Sequence, residues 1–400
     1  MPLCTAPFAA SLPAISRSDL EGSLVTQPTP ATGDSRRNAA ARRETVMFLN
    51  RHGLGHRTDY LTLFSELLHR EGYRSFSHKS LLQAILHPGP VIIMMVEDYR
   101  WGTYLVGLAR ACLFRRTLGL LFLARETLLG TRIRHVIKRA LLRLARVQSR
   151  FAVVTIVPHA VLRQAIPDTR YDIGRLTHGW IDDPQLWDLE FLPNQPLSTP
   201  LSERVVTAAG ERAILMVSGG LSRLKGLEMI GQLAADEEFG RSVLLVVAGE
   251  LVGTAADFAE VLQDSECFFE NRFLSNDELR SLYSISDLVW CAYSPDFDQA
   301  SGIFGRAVQT GVTPIVRKGS IVEAYGRSMG VPMLSVEWHD PEIGRSITAQ
   351  FAHRDRTALA VQPTARRADD NVRRILRKLF DRPLGNAVSP REPRDEMVRS

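Results

Sequence analysis

The strongest constraint on the fold is a rhythm: short, unbroken apolar runs recur with helix-length segments between them. The first half carries Val46–Leu49, Val91–Val96, Leu118–Ala124 and Ala152–Val157. The second carries Ala213–Val217, Val243–Ala248, Leu288–Ala292, Val312–Val316 and Pro332–Val336. A run without polar alternation fits a strand covered on both faces, which means parallel strands with helices on either side. One intervening helix is legible in detail. Tyr60, Leu61, Phe64, Leu67 and Leu68 share a face, Asp59 stands as N-cap and Gly72 ends it. At 400 residues the chain exceeds what one core holds. Two parallel-sheet α/β domains facing a cleft are expected.

Punctuation in the sequence sets the boundaries. Residues 1–44 read as a disordered leader, rich in Pro, Ser, Thr and Arg and without the basic-then-apolar order of a signal peptide. Residues 45–177 form the first domain, and 178–210, dense in Pro, Trp and Asp, read as a linker rather than a core element. Residues 211–360 form the second domain. A helix over 361–382 follows from the stripe Val372, Ile375, Leu376, Leu379 and Phe380, and 383–400 read as a flexible tail.

Composition excludes several classes. With 45% hydrophobic and 23% charged residues, the chain is neither wholly disordered nor a multi-span membrane protein. The four cysteines, Cys4, Cys112, Cys267 and Cys291, have no paired spacing, which fits a reducing cytoplasm and suggests neither disulfides nor a bound metal. The net charge of +5 is unevenly spread. Residues 110–150 hold eleven Arg or Lys against Glu126 alone, a net +10, leaving the rest at −5. Such a belt points to a polyanion at one place, a phospholipid surface or a phosphorylated substrate, and not to nucleic acid. Within it Ile133, Val136, Ile137, Ala140, Leu141 and Leu144 line one helical face flanked by basic residues. That face either packs on the sheet or lies on a membrane surface on the cytoplasmic side.

Three segments carry candidate chemistry. "NRHGLGH", with Gly53, Gly55 and His56, follows the first strand; it is either a glycine loop for an acceptor ligand or a tight turn. "MVSGGLSRLKGLEMI" leads from a strand through Gly219 and Gly220 to Lys225 at a helix start. A lysine there works against the helix dipole unless an anion is present. The chain has five lysines against forty-four arginines, so the choice of lysine is notable; a solvated lysine is the alternative. "YSPDFDQASGIFGRAVQTGVTPIV" places Asp298 in a loop and Ser301 as N-cap, so that amides near Ser301 and Gly302 form a diphosphate seat. Asp298 either accepts sugar hydroxyls or caps the loop. Glu97 and Asp98, after "VIIMMV", stand where a cleft residue orients an acceptor or where a helix is capped.

In order and spacing, residues 210–320 resemble the donor-binding domain of GT-B glycosyltransferases of the family 4 type. The matching segments are "LMVSGGLSRLKG", "FFENRFLSNDELRSLYSISDLVWCAYSPD" and "SGIFGRAVQTGVTPIV". The resemblance implies two Rossmann-like domains and a retaining hexosyl transfer from a nucleotide-sugar donor to a saccharide or lipid-linked acceptor, in surface polysaccharide synthesis. The donor is a substrate, and no cofactor or metal is implied. Gly219, Gly220, Lys225, Asp298, Ser301, Gly302 and Arg306 then form the donor side, with Glu97, Asp98 and Lys225 as catalytic candidates. The chain departs from the family pattern at three places. Gly220 stands where an arginine is usual, and the paired glutamates fall on Asp298 and Arg306. The Gly311-to-Pro314 spacing is one residue longer. An arginine cannot accept ribose hydroxyl protons. A sugar-nucleotide epimerase of the same fold and a non-catalytic scaffold therefore remain alternatives.

Overall fold

The computed structural model describes residues 45–51, 56–183, 186, 197–352 and 365–380. The expected leader and tail, and Gly53 and Gly55, lie outside these. The first half is a five-stranded sheet of β1 (Thr45–Leu49), β2 (Arg74–His78), β3 (Val91–Ile93), β4 (Thr117–Leu121) and β5 (Phe151–Thr155), in the order β2-β1-β3-β4-β5. The second is a six-stranded sheet of β6 (Ala213–Ser218), β7 (Val243–Ala248), β8 (Phe268–Glu270), β9 (Leu288–Cys291), β10 (Thr313–Arg317) and β11 (Leu334–Val336), in the order β11-β10-β9-β6-β7-β8. Every described pairing is parallel, as the unbroken apolar runs require.

Two strands were not among the expected runs. β2, "RSFSH", and β8, "FFE", are sheet edges with half-exposed or exposed side chains, so neither presents a continuous apolar segment. The first helix runs His56–Arg70, three residues ahead of the expected cap, so Asp59 lies inside it. It buries Tyr60, Phe64 and Leu68 and ends at Gly72, whose φ of +83° suits glycine.

The expected linker is corrected at its end. Residues Pro200–Ala209 form a helix, capped by Thr199 with Ser202 in a reciprocal capping box, and they bury Leu201, Val205 and Ala209. Their proline-rich approach masks this in the sequence, because Pro200 sits at the first helical position where its missing N–H costs nothing.

The chain passes between the two halves twice. After β5 it reaches Asp182 and Asp183, and the helix Ala365–Phe380 returns to the first sheet. Within that returning helix Ile375 and Leu379 are buried and Phe380 stacks on Tyr73 at 4.0 Å. Asn371 accepts the Asp182 backbone N–H at 2.8 Å and donates to its carboxylate at 3.1 Å. Tyr325 of the second half donates to the same carboxylate at 2.7 Å, and Tyr60 of the first donates to Asp183 at 2.8 Å. The crossing is thus fixed by three helices. Leu379→Ala, which empties a fully buried position under this helix, is expected to lower unfolding free energy by about 2–5 kcal/mol, measured by urea denaturation.

Candidate active site

Each sheet reverses its strand order once, and each reversal opens a crevice at the carboxyl ends of the strands. In the first sheet the reversal lies between β1 and β3, where Phe48 pairs with Ile92; Glu97 and Asp98 follow β3 there. In the second it lies between β6 and β9, where Met216 pairs with Val289. The loops leaving β6 and β9 carry Gly219 to Gly226 and Tyr293 to Ser301.

The β6 loop holds Lys225 in a fixed place. Gly219 and Gly226 have φ of +89° and +84°, a region that disfavours any side chain. Trp290 on β9, buried, donates its indole N–H to the Lys225 carbonyl at 2.9 Å. A Cβ at Gly226 would lie 2.7 Å from the Ala292 carbonyl oxygen, and one at Gly249 would collide with the Gly219 carbonyl. A methyl group built on Gly219 would stand 3.4 Å from Lys225 Nζ and 3.5 Å from Ile303 Cδ1. The geometry therefore brings Gly219, the Lys225 ammonium and the Ile303 side chain to one point. Gly220, beside them, is exposed. Burial lowers the Lys225 ammonium to a pKa of about 8, and no carboxylate pairs with it among the described residues.

Ser301 caps the helix Gly302–Thr310, its hydroxyl accepting the Phe304 N–H at 3.2 Å and sharing a 2.9 Å hydrogen bond with Tyr293. The amides of Gly302 and Ile303 have no intrahelical acceptor. Arg306 lies buried on the same helix and donates to the Gln309 side-chain carbonyl at 3.0 Å.

Asp298 is placed differently from the expectation that it receives sugar hydroxyls. Its side chain is 1% exposed and fully engaged. Oδ1 accepts the Ile321 N–H at 2.8 Å; Oδ2 meets Arg125 at 2.8 Å and Arg317 at 3.0 Å. Arg125 belongs to the first half, so Asp298 joins the two halves. Burial pushes its carboxyl above the ordinary aspartate range although both guanidiniums and the amide pull it down. Nothing in sequence spacing linked residues 125, 298 and 317.

On the first-half side, Glu97 Oε1 accepts the Leu123 N–H at 2.9 Å, at the start of the helix Ala124–Leu129, and faces Lys138 Nζ at 3.3 Å. Glu97 thus caps a helix other than its own neighbour. Its Oε2 is buried with no hydrogen-bond partner among the described residues. Asp98 lies half-buried in the turn after β3, its carbonyl accepting from Arg51 at 2.8 Å. His56 opens the first helix.

No family model matches the sequence, and no curated protein matches it. Solved structures do match in shape. The catalytic domain of starch synthase IV from Arabidopsis thaliana, bound to ADP and acarbose, aligns over 84% of this chain and 99% of its own, with TM-score 0.55 and 12% identity. Sucrose-phosphate synthase from Thermosynechococcus elongatus aligns over 84% and 95%, with TM-score 0.55 and 14% identity. A UDP-N-acetylglucosamine 2-epimerase aligns over 86% and 98%, with TM-score 0.50 and 12% identity. The fold is GT-B. In this GT-B chain Arg125 of the first half meets Asp298 of the second, which Arg317 also contacts. Asp298→Ala, which strands a buried Arg317, is expected to cost about 3–5 kcal/mol of unfolding free energy. Arg125→Ala, whose side chain is 30% exposed, should cost about 1 kcal/mol or less, and chemical denaturation of both variants compares the two.

Proposed function

We propose that the protein transfers a hexosyl group from a nucleotide-sugar donor to a hydroxyl of a saccharide or lipid-linked acceptor. The observation that carries this reading is the Lys225 ammonium, half-buried with no carboxylate partner among the described residues, set beside Gly219 and the Ile303 side chain at the strand-order reversal. A cation in that setting is stabilised by an anion. The diphosphate of the donor fits it. As the bond from the sugar to the diphosphate breaks, negative charge grows on the leaving oxygen. Lys225 and the amides of Gly302 and Ile303 offset that charge where it develops. The acceptor oxygen forms the new bond to the anomeric carbon and passes its proton to the departing diphosphate oxygen. Glu97 serves on the acceptor side as a positioning residue: its Oε1 is held by Leu123 and Lys138, and its Oε2 is buried with no hydrogen-bond partner among the described residues.

One feature supports transfer over epimerisation. An epimerase of this fold needs acidic groups free to manage a proton and an expelled sugar, whereas Asp298 is occupied by two arginines. Arg306 presents only donors to a ribose, so nucleotide recognition must use hydroxyl oxygens or the base as acceptors. Retention of configuration and a role in surface polysaccharide synthesis follow from the family 4 resemblance, and the anomer of the product reads the first directly.

A mass-spectrometric screen of nucleotide sugars tests the reading. Binding with slow hydrolysis to sugar and nucleoside diphosphate is expected. Exchange of the C2 proton with solvent would instead mark an epimerase, and no binding of any nucleotide sugar would leave a scaffold. Lys225→Ala should weaken nucleoside diphosphate binding by roughly 1.5–3 kcal/mol in calorimetry. Because the unliganded ammonium has a pKa of about 8, affinity should fall as pH rises through that value and the lysine loses its proton. Lys225→Arg should flatten this pH dependence.

A further inference from the structure

The helix Ile133–Arg146 is turned opposite to an ordinary surface helix. His135, Lys138, Arg139, Leu142 and Ala145 face inward, whereas Ile133 is 74% exposed, Val136 47% and Leu144 48%. The inward cations have partners. Lys138 faces Glu97, and Arg139 donates to the carbonyls of Thr127 and Gly130 and stacks over Tyr171 at 4.1 Å. Rotating the helix to bury its apolar stripe would forfeit these contacts and leave buried polar groups unpaired. The outward stripe is therefore enforced from below.

The stripe is one part of a wider face. The steps β2 to β3, β3 to β4 and β4 to β5 all move the same way across the sheet, so right-handed crossovers place their helices on one side. These are Leu81–Leu86, Gly102–Cys112 and Ile133–Arg146, which pack in that order. Leu82, Leu86, Leu105 and Phe114, on or just beyond the first two, are also exposed. None of the three helices contains an acidic residue. Arg132, Arg134, Arg143 and Arg146, at or along the third helix, are exposed.

We infer that this three-helix face docks on an anionic phospholipid surface. Its apolar side chains enter the acyl boundary and the arginines beside them reach lipid phosphates, their stems lying along the apolar surface. The single sign of charge favours lipid over other occupants. Pairing the face with a second copy of itself would set arginines against arginines. A face of convex helices gives anchoring side chains no pocket of its own to fill, whereas a fluid lipid boundary needs none. The inference stands apart from the donor reading, since it uses none of the cleft residues except Glu97 as a support for Lys138. It places the acceptor-side domain against the membrane.

Co-sedimentation of the full-length protein tests this, using phosphatidylcholine vesicles with and without phosphatidylglycerol at low and high salt. Pelleting with phosphatidylglycerol at low salt, weakened by high salt, is expected. Each charge removed should cost about fivefold in partitioning, so Arg132→Ser with Arg143→Ser should lose roughly 25-fold. Ile133→Ser with Leu144→Ser should also reduce binding while leaving the melting temperature unchanged, because both side chains are exposed. Uridine diphosphate affinity, measured in parallel, should not move in either double variant, which separates this result from the donor reading. Failure to pellet with phosphatidylglycerol at low salt would overturn the inference. So would a self-associated species that the same substitutions abolish and that does not bind vesicles.

Discussion

A carboxylate removed from water must be matched on both oxygens, and Asp298 is matched by groups from three places in the chain. The Ile321 amide holds one oxygen, and Arg317 at the end of β10 and Arg125 of the first half meet at the other. Each guanidinium offsets part of the cost of burying the charge, and removing one leaves the remainder worse solvated. The loop leaving β9, the helix Ile321–Met329 and the helix Ala124–Leu129 are consequently positioned together. Because the β9 loop also leads into Ser301, the geometry of the helix start at Gly302 depends on the same ion network. The junction between the halves and the proposed diphosphate seat are thus one construction.

Most of the fold was legible because burial on both faces leaves a plain mark. β1, β7 and β9 are buried over nearly their whole length and read as uninterrupted apolar segments. β2 and β8 escaped because they are edge strands with few or no buried side chains, unlike the edge strand β5, which is buried throughout and reads as an apolar run. The helix at Pro200–Ala209 escaped for a different reason, its proline being a helix start that resembles a loop signal. For the site, the Gly219–Gly226 loop and the Ser301 cap were readable because local backbone geometry constrains residue type. The partners of Asp298 and Glu97 were not, since Arg125, Arg317 and Lys138 are three of many basic residues and only the fold chooses among them.

Lys225 shows how position can be built from residues that do no chemistry. Two glycines in the left-handed region bend the loop, and a buried tryptophan ties down the lysine's own carbonyl. A third glycine, Gly249, lets a neighbouring strand end approach the backbone of Gly219. The cation is fixed from its main chain, which leaves its side chain available to a ligand. Such an arrangement limits the entropy lost when an anion binds.

The second passage of the chain between the halves has a mechanical meaning. A single connection would act as a ball joint and permit rotation about any axis. Here the outgoing passage at Asp182 and the returning helix Ala365–Phe380 are bonded side by side through Asn371, so the two halves share one joint. Asp182 is clasped by both the returning helix and Tyr325, so the pivot lies at a polar cluster rather than in a loose segment. The Arg125–Asp298 contact lies close to that joint, because Asp298 also holds the Ile321 N–H, one helical turn before Tyr325, so both ties act on the same end of the helix Ile321–Met329.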